Sequence, residues 1–257
     1  MVKRFGQDEA NPVRTPLPAG YHPEANSGTA TPQERSYYQS IIGSLLYLTL
    51  GTRYDITHAV IMMSQFMVNP SKEHIQKALY IVKYVKSTIN GKLTYNGFQN
   101  EGIIAYADAD WAQDPIMRRS VSGNLVIMAG CPISWISRKQ RTVALSSTEA
   151  EYMSMSDCSR QVMWIKSLFS ELGYNIGPVD LMVDNKGAIF LAKNPAQEKR
   201  SKHIDIRYHY VRERVEEQDV LVKHVPTDEQ LADILTKNLT WVKFKELRDQ
   251  IGIEIPQ

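Results

Sequence analysis

Acids at four places in this chain stand inside segments that are otherwise apolar and periodic. Asp108 and Asp110 close the run Gly102-Ile-Ile-Ala-Tyr-Ala-Asp-Ala-Asp110. Glu149 and Glu151 open a long helical pattern, Asp184 follows the apolar run 179–183, and Asp233 stands between Ala232 and Ile234. A carboxylate at the end of a buried strand is costly unless a cation or a partner offsets its desolvation. Several carboxylates in one place repel and raise one another's pKa. Bound Mg²⁺ relieves that repulsion, because hard cations take carboxylate oxygens and keep several waters. Two such ions roughly 4 Å apart activate a water and steady the leaving oxygen of a phosphodiester.

Each acid also has a local, purely structural use. On a strand Asp108 and Asp110 share a face; the first reads as a solvated strand end and the second as a cap for the turn at Trp111. Glu149, in the first turn after Ser146-Ser147, favours the positive end of a helix, and that role accounts for it fully. It does not account for Glu151, which leads into the helix's apolar face. Asp184 is placed to cap the next helix, and Asp233 to decorate a helix surface. Asp108, Asp110 and Asp114 lack the glycine and ligand spacing of a calcium loop.

The elements that would position these acids follow from periodicity. Residues 1–30, rich in Pro, Gly, Ala and Asn, read as an extended arm or linker. Residues 31–97 form a helical module of three helices: one begins at Thr31-Pro32, one is capped by Asp55, and one starts at Pro70-Ser71. From residue 98 to 257 strands dominate first, at 103–109, 122–129 and 133–137, with Gly130-Cys131-Pro132 as the turn and 142–145 a candidate extension. Helices are expected at 146–172, 185–192, 204–217, 228–235 and 241–251, and strands at 179–183 and 220–225. That order gives an α/β fold, a mixed sheet with helices packed on it. At 257 residues, 43% apolar, 23% charged and a formal charge of +2, the composition is that of an ordinary globular protein. The charge permits a polyanionic partner without arguing for one. The two cysteines make no disulfide framework, and no apolar run reaches the roughly 18 residues of a membrane span. No secretion signal follows Met1, so an intracellular protein with no membrane partner is expected.

Tyr106-Ala-Asp-Ala-Asp-Trp-Ala-Gln-Asp, Arg118-Arg119-Ser-Val-Ser-Gly, Ser134-Trp-Ile-Ser-Arg-Lys-Gln140, Val143-Ala-Leu-Ser-Ser-Thr-Glu-Ala-Glu-Tyr152, Asp184-Asn185, Lys202-His203-Ile204 and Ala232-Asp-Ile-Leu-Thr-Lys237 occur in that order. Together they resemble the ribonuclease H domain of copia-type retrotransposon polyproteins, over residues 102–239. Upstream, Tyr38-Gln-Ser-Ile-Ile-Gly-Ser-Leu-Leu-Tyr47 and Gly51-Thr-Arg-Tyr-Asp55 are similar to the thumb- or connection-like segment that precedes that domain. The resemblance implies a ribonuclease H-like fold. It implies four ligands, Asp108, Glu151, Asp184 and Asp233, for two Mg²⁺ ions, with Mn²⁺ as an alternative. It also implies endonucleolytic cleavage of RNA in RNA–DNA hybrids. Glu151 rather than Glu149 fits because a bulky residue and the apolar face follow it. Met117, Val183, Lys186 and Glu198 depart from common family choices, and none is a proposed ligand. His203 and His224 are read as structural.

Three basic clusters lie beside Ser or Thr residues able to contact phosphate and 2′-OH: Arg118-Arg119, Arg138-Lys139-Gln-Arg141 and Lys199-Arg200-Ser-Lys202. With Ser147 and Asn185 they are the expected hybrid contacts: Arg118, Arg119, Arg138, Lys139, Arg141, Ser147, Asn185, Arg200 and Lys202. No Tyr-x-Asp-Asp polymerase motif occurs, so no DNA synthesis is expected and the remainder of a Pol polyprotein is the expected partner. Cytoplasmic virus-like particles or the nucleus are the expected location. The alternative function is a catalytically silent nucleic-acid-binding remnant of the same polyprotein.

Overall fold

A computed structural model describes residues 1–95, 102–112, 118–194 and 202–255, with backbone only at 202–208. The chain divides into two compact units, Met1–Leu93 with Lys237–Gln257, and Thr94–Thr236.

The first unit begins with residues expected to be an arm. They are instead packed against it: Phe5 and Leu17 are buried, and Phe5 meets Tyr37 edge-on with ring centres 6.1 Å apart. The Val13 amide donates to Ser87 Oγ at 3.0 Å, and Lys86 Nζ to the Ala10 carbonyl at 2.8 Å. Too few apolar residues recur there to show a period, yet Phe5 and Leu17 serve as anchors. Helix α1 (Pro32–Gly51) is started by a reciprocal cap: Thr31 accepts from the Glu34 amide, and the Glu34 carboxylate accepts from the Thr31 amide. It buries Tyr38, Ile41, Ile42 and Leu45, one stripe at helical spacing. Helix α2 spans Thr57–Ser64. Helix α3 (Lys72–Ser87) is capped by Ser71 and buries Ala78, Ile81, Val82 and Val85. Asp55, expected as a cap, has another use. It sits in the short 3₁₀ turn Tyr54–Ile56, 2% exposed, where Arg53 grips it through Nε and Nη2 at 2.8 and 2.9 Å. The Tyr84 hydroxyl donates to the same carboxylate at 2.7 Å. Burial alone would lower the Arg53 pKa; the Asp55 carboxylate reverses that and holds it above its ordinary value.

After β1 (Lys92–Leu93) comes the second unit. Strands β2 (Ile104–Asp110), β3 (Val121–Met128) and β4 (Cys131–Lys139) form an antiparallel meander. Helix α4 (Ser147–Glu171) crosses it, and β5 (Val179–Val183) then pairs parallel to β2. Helices α5 (Lys186–Lys193) and α6 (Lys202–Glu216) lead to β6 (Val220–His224), parallel to β5. The sheet order is β4-β3-β2-β5-β6, the mixed sheet with flanking helices that the resemblance implied. Ala105 and Ala107 of β2, Val179, Leu181 and Val183 of β5, and Tyr152, Met155, Cys158 and Val162 of α4 share one core. Small residues on β2 let the long helix lie close.

Three expectations shift locally. The β3–β4 turn is Ala129-Gly130, not Gly130-Cys131-Pro132. Both of its residues have positive φ (52° and 77°), the requirement of a two-residue hairpin turn. Cys131 and Pro132 are therefore free to start β4, an edge strand where proline's missing N–H is tolerated. Residues 142–145 do not join the sheet. The helix expected at 228–235 is two 3₁₀ turns, Thr227–Glu229 and Leu231–Leu235.

The chain then returns to the first unit through α7 (Trp241–Ile251) and β7 (Ile253–Glu254), elements expected to belong with the domain at 98–257. Packing explains the reassignment. β7 pairs with β1, Phe244 meets Tyr84 edge-on at 5.7 Å, and the Tyr54 hydroxyl donates to the Arg248 carbonyl at 2.7 Å. Among the described residues no helix is long and apolar enough to cross a membrane.

Removing one partner of a buried ion pair strands the other charge. Asp55→Ala should therefore cost about 3–5 kcal/mol in urea unfolding. Lys223→Ala, which breaks only the exposed pair with Asp180, should cost under about 1 kcal/mol. Equal losses for the two would refute the role assigned to Asp55.

Candidate metal centre and nucleic-acid surface

Strand alternation sends Ala107 and Ala109 toward α4 and leaves Asp108 on the opposite face of β2, only 1% exposed. Directly across the ladder stands Gly123. A Cβ at Gly123 would lie 2.6 Å from Thr236 Cγ2, 2.9 Å from the Ala232 carbonyl oxygen and 3.0 Å from Leu235 Cβ. Glycine thus lets the Leu231–Leu235 turn lie flat on β3 beside Asp108. Gln230 fixes that segment by donating from Nε2 to the Ala107 carbonyl at 3.1 Å, and the Thr236 hydroxyl donates to Asp108 Oδ2.

Helix α4 is pinned at the same level. Ser146 caps it, accepting from the Glu149 amide at 3.1 Å, while Glu149 Oε2 accepts from the Leu145 amide at 2.9 Å. Glu149 is thus a capping residue, as its position in the sequence indicated. Ser154 Oγ donates to the Asp108 carbonyl at 2.8 Å. The Asn124 amide, oriented to satisfy both its ends, donates to Ser154 Oγ at 2.9 Å. Glu151, buried on the same helix, is held against β2 by this anchor. Asp184 follows β5, whose parallel pairing with β2 sets it alongside. The next residue, Asn185, takes the helix-capping role, its Oδ1 accepting from the Ala188 amide at 2.9 Å.

The result is a cluster of three carboxylates. Asp108, Glu151 and Asp184 each offer an oxygen, and these three oxygens lie within 4.8 Å of one another. At that separation each pair of unit charges repels by on the order of 3 kcal/mol in an effective dielectric near 20. An all-oxygen anionic donor set is the kind that hard divalent cations take, so the residues fit the ions their types suggested. Asp233 is buried on the Leu231–Leu235 turn and is not one of the three. Its carbonyl, 3.3 Å from Thr236 Oγ1, belongs to the same anchor on Asp108.

The basic residues divide. Arg138, exposed at the end of β4, pairs with Asp157 of α4 at 2.7 Å, and Arg160 reaches the same carboxylate at 3.3 Å. Together with Ser122, Gln140 and Arg141 these three line a pocket of about 150 Å³. Gln140 braces that pocket, donating to Ser122 Oγ and to the Ala150 carbonyl, each at 2.9 Å. Lys139 is half-buried on β4 and Arg119 half-buried. Arg118 is exposed, with a left-handed backbone (φ 54°), and Ser147 is exposed at the start of α4. Arg200 and the Lys202 side chain lie outside the described residues, as does the side chain of His203. His224, read as structural, is exposed at the end of β6. Sequence reasoning missed Arg160, Asp157 and the part played by Thr236. Arg160 follows Asp157 by three, a helical ion-pair spacing, and Thr236 follows Asp233 by three.

A central strand, a parallel neighbour and a covering helix that each supply one acid, on a sheet ordered β4-β3-β2-β5-β6, define a ribonuclease H-like domain. No protein-family model matches the chain. It is 40% identical over 254 residues to a retrovirus-related Pol polyprotein from transposon RE1 of Arabidopsis thaliana, covering 98% of this chain and 17% of that protein. It is 36% identical over 258 residues to the corresponding polyprotein from transposon TNT 1-94 of Nicotiana tabacum, covering 98% and 19%. The chain belongs to the copia-type retrotransposon Pol polyproteins, and spans under a fifth of the length of these relatives. Among solved structures, a ribonuclease H1 isolated from compost aligns over 52% of this chain and 92% of its own, at 14% identity and a TM-score of 0.41. That score adds nothing to what the strand order says.

The close approach at Gly123 is open to test. Gly123→Ala forces Thr236 and the Ala232 backbone to move, an overpacking cost of about 1–3 kcal/mol in thermal unfolding. A change below about 0.5 kcal/mol would show that the 3₁₀ turn is not seated on β3.

Proposed function

We propose that the second unit hydrolyses the RNA strand of RNA–DNA hybrids, as the ribonuclease H part of a copia-type Pol polyprotein. The observation that carries this reading is the convergence of Asp108, Glu151 and Asp184 from three different elements. In this reading these three residues hold divalent ions, magnesium or manganese, and Asp233 completes the ligand set. Such ions, when bound, supply a water of lowered pKa and positive charge near the leaving oxygen of the phosphodiester. The chain's own contribution is rigidity. Ser154 and the Thr236 hydroxyl hold Asp108 from its two ends, and Asn185 caps α5 so that Asp184 need not. No protein nucleophile is required.

Holding the hybrid falls to the basic surface. The fork made by Arg138 and Arg160 on Asp157, with Arg141 beside it, offers cations already ordered by a carboxylate, so little side-chain freedom is lost on meeting a phosphate. Ser147 and the Asn185 amide stand at the two helix starts nearest the acids and supply neutral donors. The remainder of the polyprotein is the covalent partner.

Cleavage of an end-labelled hybrid in Mg²⁺ tests the assignment. Asp184→Asn should lower the rate by roughly 100-fold or more, since losing a ligand should exceed the about 10–100-fold cost of losing an outer partner. Chelation should abolish cleavage. A wild-type protein that binds hybrid tightly but never cuts it would instead be a binding remnant.

Binding gives a second test. Arg160→Gln should reduce the slope of log affinity against log salt by about 1 and leave the rate at saturating hybrid unchanged. An unaltered slope would remove Arg160 from the hybrid surface.

A further inference from the structure

We infer that Thr236 is a positioning residue for the metal centre, acting through Asp108; this rests on the reading of the acids as metal ligands. Thr236 is fully buried, and its hydroxyl donates to Asp108 Oδ2. Asp108 is the most deeply buried of the three clustered acids and comes from the central strand, so the placement of its carboxylate decides whether the others can share an ion with it. A carboxylate on a short side chain can rotate about its last bond. A hydroxyl donor on one oxygen removes that freedom.

The surroundings are built around this one contact. Gly123 has no Cβ where one would lie 2.6 Å from Thr236 Cγ2, so the threonine can lie directly against the ladder position opposite Asp108. Gln230 holds the start of the same 3₁₀ segment to the Ala107 carbonyl, one residue before Asp108. Leu231, Ala232, Ile234 and Leu235 are buried between the two anchors. The segment that carries Asp233 is thereby tied at both ends to the strand that carries Asp108. A valine would fill the same space as Thr236 and make no such bond.

The experiment measures Mn²⁺ binding to the full chain by titration calorimetry, with no nucleic acid present. Thr236→Val should bind Mn²⁺ about 10- to 100-fold more weakly, the usual effect of removing a hydrogen-bond partner from a metal ligand. Thr236→Ser, which keeps the hydroxyl, should stay within about threefold of the wild type, while Thr236→Ala should resemble Thr236→Val. The serine and alanine variants leave the same methyl gap and differ only in the hydroxyl, so that pair decides the matter if the valine variant does not fold. Equal Mn²⁺ affinity in serine and alanine variants would overturn the inference. Hybrid cleavage by the wild type is assayed alongside. A wild type that binds Mn²⁺ in this order of variants yet cuts no hybrid would uphold the positioning role and remove only the nuclease reading. A wild type that binds no Mn²⁺ would overturn both.

Discussion

Everything in the second unit answers one electrostatic constraint: a carboxylate almost wholly withdrawn from water in the middle of a sheet. Asp108 cannot sit there unsupported, because an isolated buried anion costs several kcal/mol even after relaxation. The chain offsets part of that cost with the Thr236 hydroxyl on the carboxylate, while Ser154 holds the same residue by its backbone carbonyl. Each donor dictates something further away. Ser154 fixes how close α4 lies and so where Glu151 stands. Thr236 fixes the 3₁₀ turn and requires glycine at 123. The parallel pairing of β5 with β2 then brings Asp184 in. The site is a consequence of how one strand residue is accommodated.

The same principle, used differently, organises the first unit. Arg53 and Asp55 are also buried, but they satisfy each other, with Tyr84 and Thr88 supplying the remaining bonds. In the second unit three acids face one another, and Arg212, a buried cation among the described residues, donates to the Leu191 carbonyl. A closed ion pair makes a structural joint; an unbalanced set of like charges makes a site. The difference separates the scaffold of this protein from its chemistry.

Much of this was legible in the residues because it rests on local period and capping. Short apolar runs ending in acids gave β2 and β5, three-and-four spacing gave α4, and the cap at Ser146 with the apolar face after Glu151 separated the structural glutamate from the clustered one. What escaped detection depends on tertiary packing. The segment 228–235 has helical periodicity, but flattening it onto Gly123 is favoured by contacts that no local rule contains. The turn falls at Ala129-Gly130 and not at the Gly130-Cys131-Pro132 stretch that glycine and proline suggest, because positive φ at Ala129 decides the register. Residues 1–30 looked like a linker because two isolated anchors, Phe5 and Leu17, make no pattern. Asp55 read as a cap because Tyr84, which joins Arg53 in holding it inside the fold, is 29 residues away.

The first unit is completed only when β7 pairs with β1 and Phe244 reaches Tyr84, so the stretch 94–236 is nested within it. On a ribosome, where domains generally fold as they emerge, the nested part has its whole sequence first. The enclosing part must wait, its helices α1 to α3 holding an unfilled seam, until residues 241–254 are out. Of the two units, the one whose residues emerge first is therefore the one completed last.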